Sequence, residues 1–183
     1  MICSVSGVRL EPLSAEHVAG LDAIALDPDV QRNTYVPSPP PADFGKSWLE
    51  RYEQGREDGT REGFAIVDAK DRSFLGIAVA VRIDEEANEA ELGYILAPEA
   101  RGRGAATEAL RQLTEWGFAR GFQRLELRGD ADNEASRRVA ERCGYTLEGI
   151  LRSVYFKEGR RSDMFIYSRL PGDESRAAGR GLR

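Results

Sequence analysis

The stretch Glu91-Leu92-Gly93-Tyr94-Ile95-Leu96-Ala97-Pro98-Glu99-Ala100-Arg101-Gly102-Arg103-Gly104-Ala105-Ala106-Thr107-Glu108-Ala109-Leu110 decides how this chain is read. The residues up to Leu96 have the composition of a strand, Pro98 ends it, and from Ala105 the apolar spacing becomes that of a helix. The product is strand, tight loop, helix. Small residues at 102, 104, 105 and 106 let a ligand approach the backbone, and the amides of a first helical turn have no intrahelical acceptor. Such a terminus favours an anion, phosphate above all. Arg101 and Arg103 add charge-assisted donors suited to a diphosphate. The plain alternative is a turn that only caps a helix. Two familiar phosphate loops fit poorly: no lysine follows the glycines as a P-loop requires, and Thr107 stands where a dinucleotide fingerprint needs glycine.

Upstream of this stretch, Phe64 to Val67, Phe74 to Ile83 and Ala90 to Leu96 read as three consecutive strands, which predicts an antiparallel meander. Downstream, Ala106, Ala109, Leu110, Leu113 and Gly117 share a helical face that runs to Arg120, with Gly121 as its stop. Gln123 to Arg128 reads as a strand and Asn133 to Cys143 as a short helix. Tyr145 to Phe156 and Ser162 to Leu170 form a closing pair of strands around the turn Lys157 to Arg161. At the start of the chain, Val8 to Leu13 is a strand, followed by a helix capped at Ser14 that carries Val18, Leu21, Ile24 and Ala25. The segment Asp27 to Pro41, with five prolines around Tyr35 and Val36, reads as a stiff loop without regular helix. Asp43 to Glu57 sets Phe44, Trp48 and Tyr52 on one helical face, where packing is their expected role. Residues 1–170 are expected to be a single domain, and 171–183, with three glycines, a disordered tail.

Composition narrows the function. The chain has 183 residues, 41% of them hydrophobic, which suits one core and not a tandem of domains. Its 31 acids outnumber 26 bases for a net charge of −5, so no nucleic-acid partner is expected. Only Lys46, Lys70 and Lys157 are lysines. No run approaches the ~18 apolar residues of a membrane span and no signal-peptide pattern opens the chain, so the expected compartment is the cytoplasm, away from membranes. Cys3, Cys143 and the single histidine, His17, cannot build a disulfide framework or a familiar zinc cluster, and no metal is expected. Cys143 is expected in the core and His17 on the surface.

With these residues in view, the chain resembles the GNAT superfamily of acyl-CoA-dependent N-acyltransferases, whose signature after a strand is Gln/Arg-x-x-Gly-x-Gly/Ala. Arg101, Gly104 and Ala106 fill it. Asn133-Glu134-Ala135-Ser136, Cys143-Gly144-Tyr145, Glu148-Gly149, Arg152, Gly159 and Asp163 to Tyr167 extend the likeness to the subgroup that acetylates ribosomal-protein alanine or serine amino termini. The resemblance implies an α+β fold with a mixed, mostly antiparallel sheet of six or seven strands, splayed in the middle and flanked by about four helices. It implies acetyl-CoA as cosubstrate, a primary amine as acceptor and a self-paired dimer. A non-catalytic acyl-CoA sensor or scaffold of the same fold is the competing reading.

Carried onto this chain, the resemblance gives the backbone of Tyr94, Ile95 and Leu96 to pantetheine and the thioester carbonyl, their side chains mattering less. It gives the amides of Gly102, Arg103, Gly104, Ala105, Ala106 and Thr107 to the diphosphate, with Arg101 and Arg103 helping by charge. Asn133 faces the pantetheine arm. Transfer to an amine needs a neutral nitrogen, so a base is required; Glu91 and Glu126 are the candidates. The leaving thiolate takes a hydrogen bond or proton, from a tyrosine seven residues after the asparagine in many relatives. That position is Ala140 here, and the role falls to Ser136. Tyr155 replaces an acid of the subgroup, and the acceptor is expected between the 27–41 loop and the 157–161 turn.

Overall fold

The computed structural model describes residues 7–173. In chain order its elements are β1 (Val8–Pro12), α1 (Val18–Ala25), α2 (Pro28–Asn33), α3 (Phe44–Glu57), β2 (Glu62–Asp68), β3 (Phe74–Asp84) and β4 (Glu89–Leu96). There follow α4 (Ala105–Ala119), β5 (Arg124–Asp130), α5 (Glu134–Arg142), β6 (Thr146–Lys157) and β7 (Arg160–Arg169). The strands form one seven-stranded sheet in the order β1-β2-β3-β4-β5-β7-β6, and all pairs are antiparallel except β4 with β5. That one parallel pair is joined by the α4 crossover, since parallel neighbours cannot be linked by a tight hairpin. The tail expected over 171–183 lies, from 174 on, outside the described residues, as does Cys3.

Alternation along the strands decides which helix covers which face. Leu92 of β4, Leu125 and Leu127 of β5 and Phe165 and Tyr167 of β7 point to the α4 side, where they bury against Leu110 and Leu113. Each such side chain contributes roughly 1.5–3 kcal/mol on leaving water. Polar groups deep in this layer are satisfied: Thr114 Oγ1 donates to Leu110 O at 2.7 Å and shares a 2.8 Å bond with the Tyr145 hydroxyl, and the Tyr167 hydroxyl donates to Glu141 at 2.8 Å. On the opposite face α1 and α3 bury Leu21, Ile24 and Leu49 against Ala65, Val67 and Ile77. They cover the β1–β4 half.

The feature that positions chemistry is the partial zipper between β4 and β5. Pairing runs only from Glu89–Arg124 to Leu92–Leu127. Beyond it Gly93–Leu96 stay with β3 while Arg128–Asp130 stay with β7, so the sheet opens and the inner edge of β4 has no strand partner there among the described residues.

Two expectations are corrected. The 27–41 segment contains a helix, α2: Asp27 caps it, its carboxylate accepting from Val30 N at 2.9 Å, and Pro28 occupies the first turn. Proline has no N–H to lose there and its fixed φ suits a helix start, so the prolines exclude helix only from the rest of the segment. His17 is buried, not superficial. A 3-10 turn, Ala15–His17, precedes α1 and aims the ring inward, where Nδ1 accepts from Ser14 N at 3.2 Å and the ring lies 6.1 Å from that of Phe74.

Candidate active site

Gly102 and Gly104 adopt left-handed φ values of +77° and +85°, and Gly104 is the N-cap of α4. A side chain at either would cost roughly 1–2 kcal/mol, so the loop turns this tightly because it has no Cβ atoms there. Ala105, Ala106 and Thr107 then form a first helical turn whose amides have no intrahelical acceptor. The turn is anchored from behind, because Cys143 Sγ donates to Thr107 O at 3.4 Å. Burial pushes the Cys143 thiol up to about 11, which makes it a packing residue and not a nucleophile.

The two arginines of the loop differ. Arg103 is exposed and has no ion-pair partner among the described residues. Arg101 is engaged: it donates to Asp27 at 2.8 Å, Asp29 at 3.3 Å and Leu96 O at 3.1 Å. Burial opposes charge on Asp27, but the Arg101 and Val30 hydrogen bonds prevail and hold its carboxyl below the usual range. Arg101 therefore ties the start of α2 to the end of β4.

Across the opening stands α5. Asn133 is its N-cap, Oδ1 accepting from Ser136 N at 3.0 Å. The Tyr94 hydroxyl reaches over from β4 and donates to Ser136 Oγ at 3.1 Å. Beyond the backbone role expected of Tyr94, its side chain bridges the two arms of the opening, and no local sequence signal links residues 94 and 136.

Glu91 and Glu126 face each other in the parallel ladder, one pair before it ends, so both carboxylates sit at the vertex of the opening on the face away from α4. Their environments differ sharply. Glu126 is buried and gripped from both sides by Arg124, at 2.6 and 3.0 Å, and Arg128, at 2.8 and 3.2 Å. Burial works against its charge, yet these hydrogen bonds win and lower its pKa. Among the described residues Glu91 has no closer ion pair than a 3.8 Å approach from Arg128, and burial raises its pKa against the charges of Arg128 and Arg82. Between the two, Glu91 is the better proton acceptor: its lone pairs are less committed and its pKa moves toward neutrality.

The acceptor-side elements also meet. Lys157 Nζ donates to the carbonyls of Thr34 at 2.9 Å and Val36 at 2.6 Å, and to that of Gln31. The Tyr155 hydroxyl donates to Thr34 O at 2.5 Å, and the Tyr35 and Tyr155 rings lie 4.5 Å apart. The β6–β7 hairpin thus holds the segment after α2. The sequence showed this lysine without its three carbonyls.

Comparison with known proteins gives this geometry its family. The pattern of the acetyltransferase (GNAT) domain matches residues 8–146. The chain belongs to the GNAT acetyltransferase family. Among its GNAT relatives, the uncharacterized N-acetyltransferase p20 of Bacillus licheniformis is 29% identical over 62% of this chain, and the match spans 64% of that relative's length. Spermidine N(1)-acetyltransferase of Escherichia coli K12 is 25% identical over 86% of this chain and 82% of its own. The RimL ribosomal L7/L12 alpha-N-protein acetyltransferase in complex with coenzyme A superimposes with a TM-score of 0.83 at 22% identity, covering 92% of this GNAT chain and 97% of that one. At that identity the likeness shows the fold. No helix among the described residues is long and apolar enough to cross a membrane.

Proposed function

We propose that this protein transfers an acetyl group from acetyl-CoA to a primary amine, a peptide amino terminus or a small amine, by direct attack in a ternary complex. The observation that carries the reading is the opened β4–β5 pair, with a bare strand edge on one side, the first turn of α4 at its mouth and Glu91 at its vertex. In this reading the amides of Gly102 to Thr107, with Arg103, hold the diphosphate, and the strand edge at Tyr94, Ile95 and Leu96, where Arg101 already takes the Leu96 carbonyl, pairs with pantetheine and polarises the thioester carbonyl. Asn133 orders the α5 terminus beside the pantetheine arm and Ser136 stabilises the departing thiolate. Arg101 acts by fixing loop to loop, and by charge.

Glu91 takes the amine proton, directly or through a water. Glu126 keeps Arg124 and Arg128 in place and adds negative charge beside Glu91. Holding the acceptor in a near-attack position supplies much of the rate. The relatives named for spermidine and for a ribosomal protein support a cationic amine as acceptor. A homodimer fits the exposed Leu147, Ile150, Val154 and Phe156 on the outer strand β6, and 1–170 as one domain acting in the cytoplasm completes the proposal.

The test is thiol release from acetyl-CoA across peptide amino termini, polyamines and amino sugars. The expected result is amine-dependent release with one acetyl group on the amine. Coenzyme binding without acetylation of any amine in the panel would favour the sensor reading.

A further inference from the structure

The Tyr94–Ser136 contact has a direction, and the direction has chemical content. Tyr94 donates and Ser136 Oγ accepts. A serine hydroxyl has one proton and two lone pairs, and here one lone pair is filled by the phenol. Among the described residues no group takes the Ser136 proton; the helix cap at this turn is made by Asn133, whose Oδ1 accepts from the Ser136 backbone. The O–H of Ser136 is therefore left to donate outward from the first turn of α5. Both residues flank the opening: Tyr94 lies on β4 two residues past the last β4–β5 pair, and Ser136 sits on the element that follows β5. Ala140, fully buried one turn further along α5, has no polar atom to offer.

We propose that Tyr94 is a positioning residue for acetyl transfer, its phenol fixing the Ser136 hydroxyl as a hydrogen-bond donor to the sulfur that leaves the acetyl group. The inference rests on the acetyl-transfer reading of the opening. In the step it serves, the amine nitrogen forms the C–N bond, the C–S bond breaks and sulfur keeps the electron pair. Burial pushes the Tyr94 phenol up to about 12, so it stays protonated and donating. The thiolate of a thiol in the ordinary ~8.5 range is too weak a base to deprotonate such a phenol, or a serine held by it. Ser136 and Tyr94 thus keep their protons and stabilise the thiolate by hydrogen bonding, and the thiolate is later protonated by water. A group that develops charge only as the bond breaks is stabilised most by a donor already aimed at it.

The experiment is a double-mutant cycle of Tyr94→Phe and Ser136→Ala, with kcat at saturating acetyl-CoA and amine and calorimetric binding of coenzyme A for each variant. Ser136→Ala is expected to lower kcat about tenfold or more. Tyr94→Phe, which keeps the ring, is expected to lower it roughly fivefold with the coenzyme Kd within about twofold, and the double variant to match Ser136→Ala alone. A second readout stands apart from turnover: the thiol pKa of bound coenzyme A, followed by thiolate absorbance, is expected to rise in Tyr94→Phe and to rise further in Ser136→Ala. Losses that multiply in the double variant, or a bound-thiol pKa unchanged by Tyr94→Phe, would overturn the role of Tyr94. Wild-type kcat in Ser136→Ala would remove the serine and Tyr94 with it, whereas absence of acetylation by the wild-type protein would overturn the acetyl-transfer reading itself.

Discussion

Glu91→Gln is expected to lower kcat for amine acetylation about a hundredfold or more and to abolish the acidic limb of its pH profile. General-base catalysis contributes typically 10²- to 10⁴-fold, and glutamine keeps the shape of Glu91 without its basicity. The sign of the pH effect follows from burial, which lifts the Glu91 pKa above its ordinary 4.5. Activity must rise with pH through that elevated value as the carboxyl ionises. Stability moves the other way. A carboxyl whose folded pKa is raised favours the fold below its unfolded pKa, and the contribution is lost as pH rises through the folded value. Charged Glu91 is therefore a cost to the fold at neutral pH, and Glu91→Gln is expected to keep or raise the thermal midpoint while turnover collapses. Glu126→Gln makes the contrast. Its folded pKa is lowered, so its contribution is present above about 4.5 and lost as pH falls through the folded value. Neutralising it takes from Arg128 its buried carboxylate partner and from Arg124 one of two, Glu148 being the other, and costs about 1–3 kcal/mol of stability, with the acidic limb of kcat retained. If the limb vanishes in Glu126→Gln and survives in Glu91→Gln, the assignment of the base is reversed.

Gly76→Ala is expected to damage the fold at the site itself. Gly76 pairs with Leu96 across β3 and β4, at a φ of +149°, and a Cβ there would lie 2.1 Å from Ile95 O and 2.9 Å from Leu96 Cα. Both are backbone atoms, which cannot swing aside as a flexible side chain does. Backbone strain of roughly 1–3 kcal/mol adds to overpacking of roughly 1–3 kcal/mol, a large fraction of the ~5–15 kcal/mol that holds a domain together. The urea midpoint should fall accordingly. In whatever fraction remains folded, the displaced Ile95–Leu96 edge should bind coenzyme A more weakly. An unchanged urea midpoint with unchanged coenzyme affinity would show that this edge has room to spare.

The strand–loop–helix at 91–110 was legible because its determinants are local: alternation in β4, two glycines where φ must be positive, and apolar spacing in α4. The meander and the β6–β7 pair were legible for the same reason. Other features depend on atoms far apart in sequence. Helix α2 hides among prolines because only its cap and first position favour it, and Arg101, 74 residues away, secures the cap residue Asp27. His17 reads as a surface residue until Phe74 is brought against it. Glu91 and Glu126 look alike as strand carboxylates, and their difference arises from Arg124 and Arg128 placed two residues either side of Glu126. The Tyr94 side chain gained its partner only when α5 was laid across the opening.

Amide hydrogen exchange, followed residue by residue with and without acetyl-CoA, tests most directly whether the opening between β4 and β5 is where the chemistry occurs. The strongest new protection is expected at Tyr94 to Leu96 and at Gly102 to Thr107, with β6 at Leu147 to Phe156 unaffected. Protection that leaves the β4 edge and the α4 turn unchanged, and falls elsewhere on the molecule, would contradict the account.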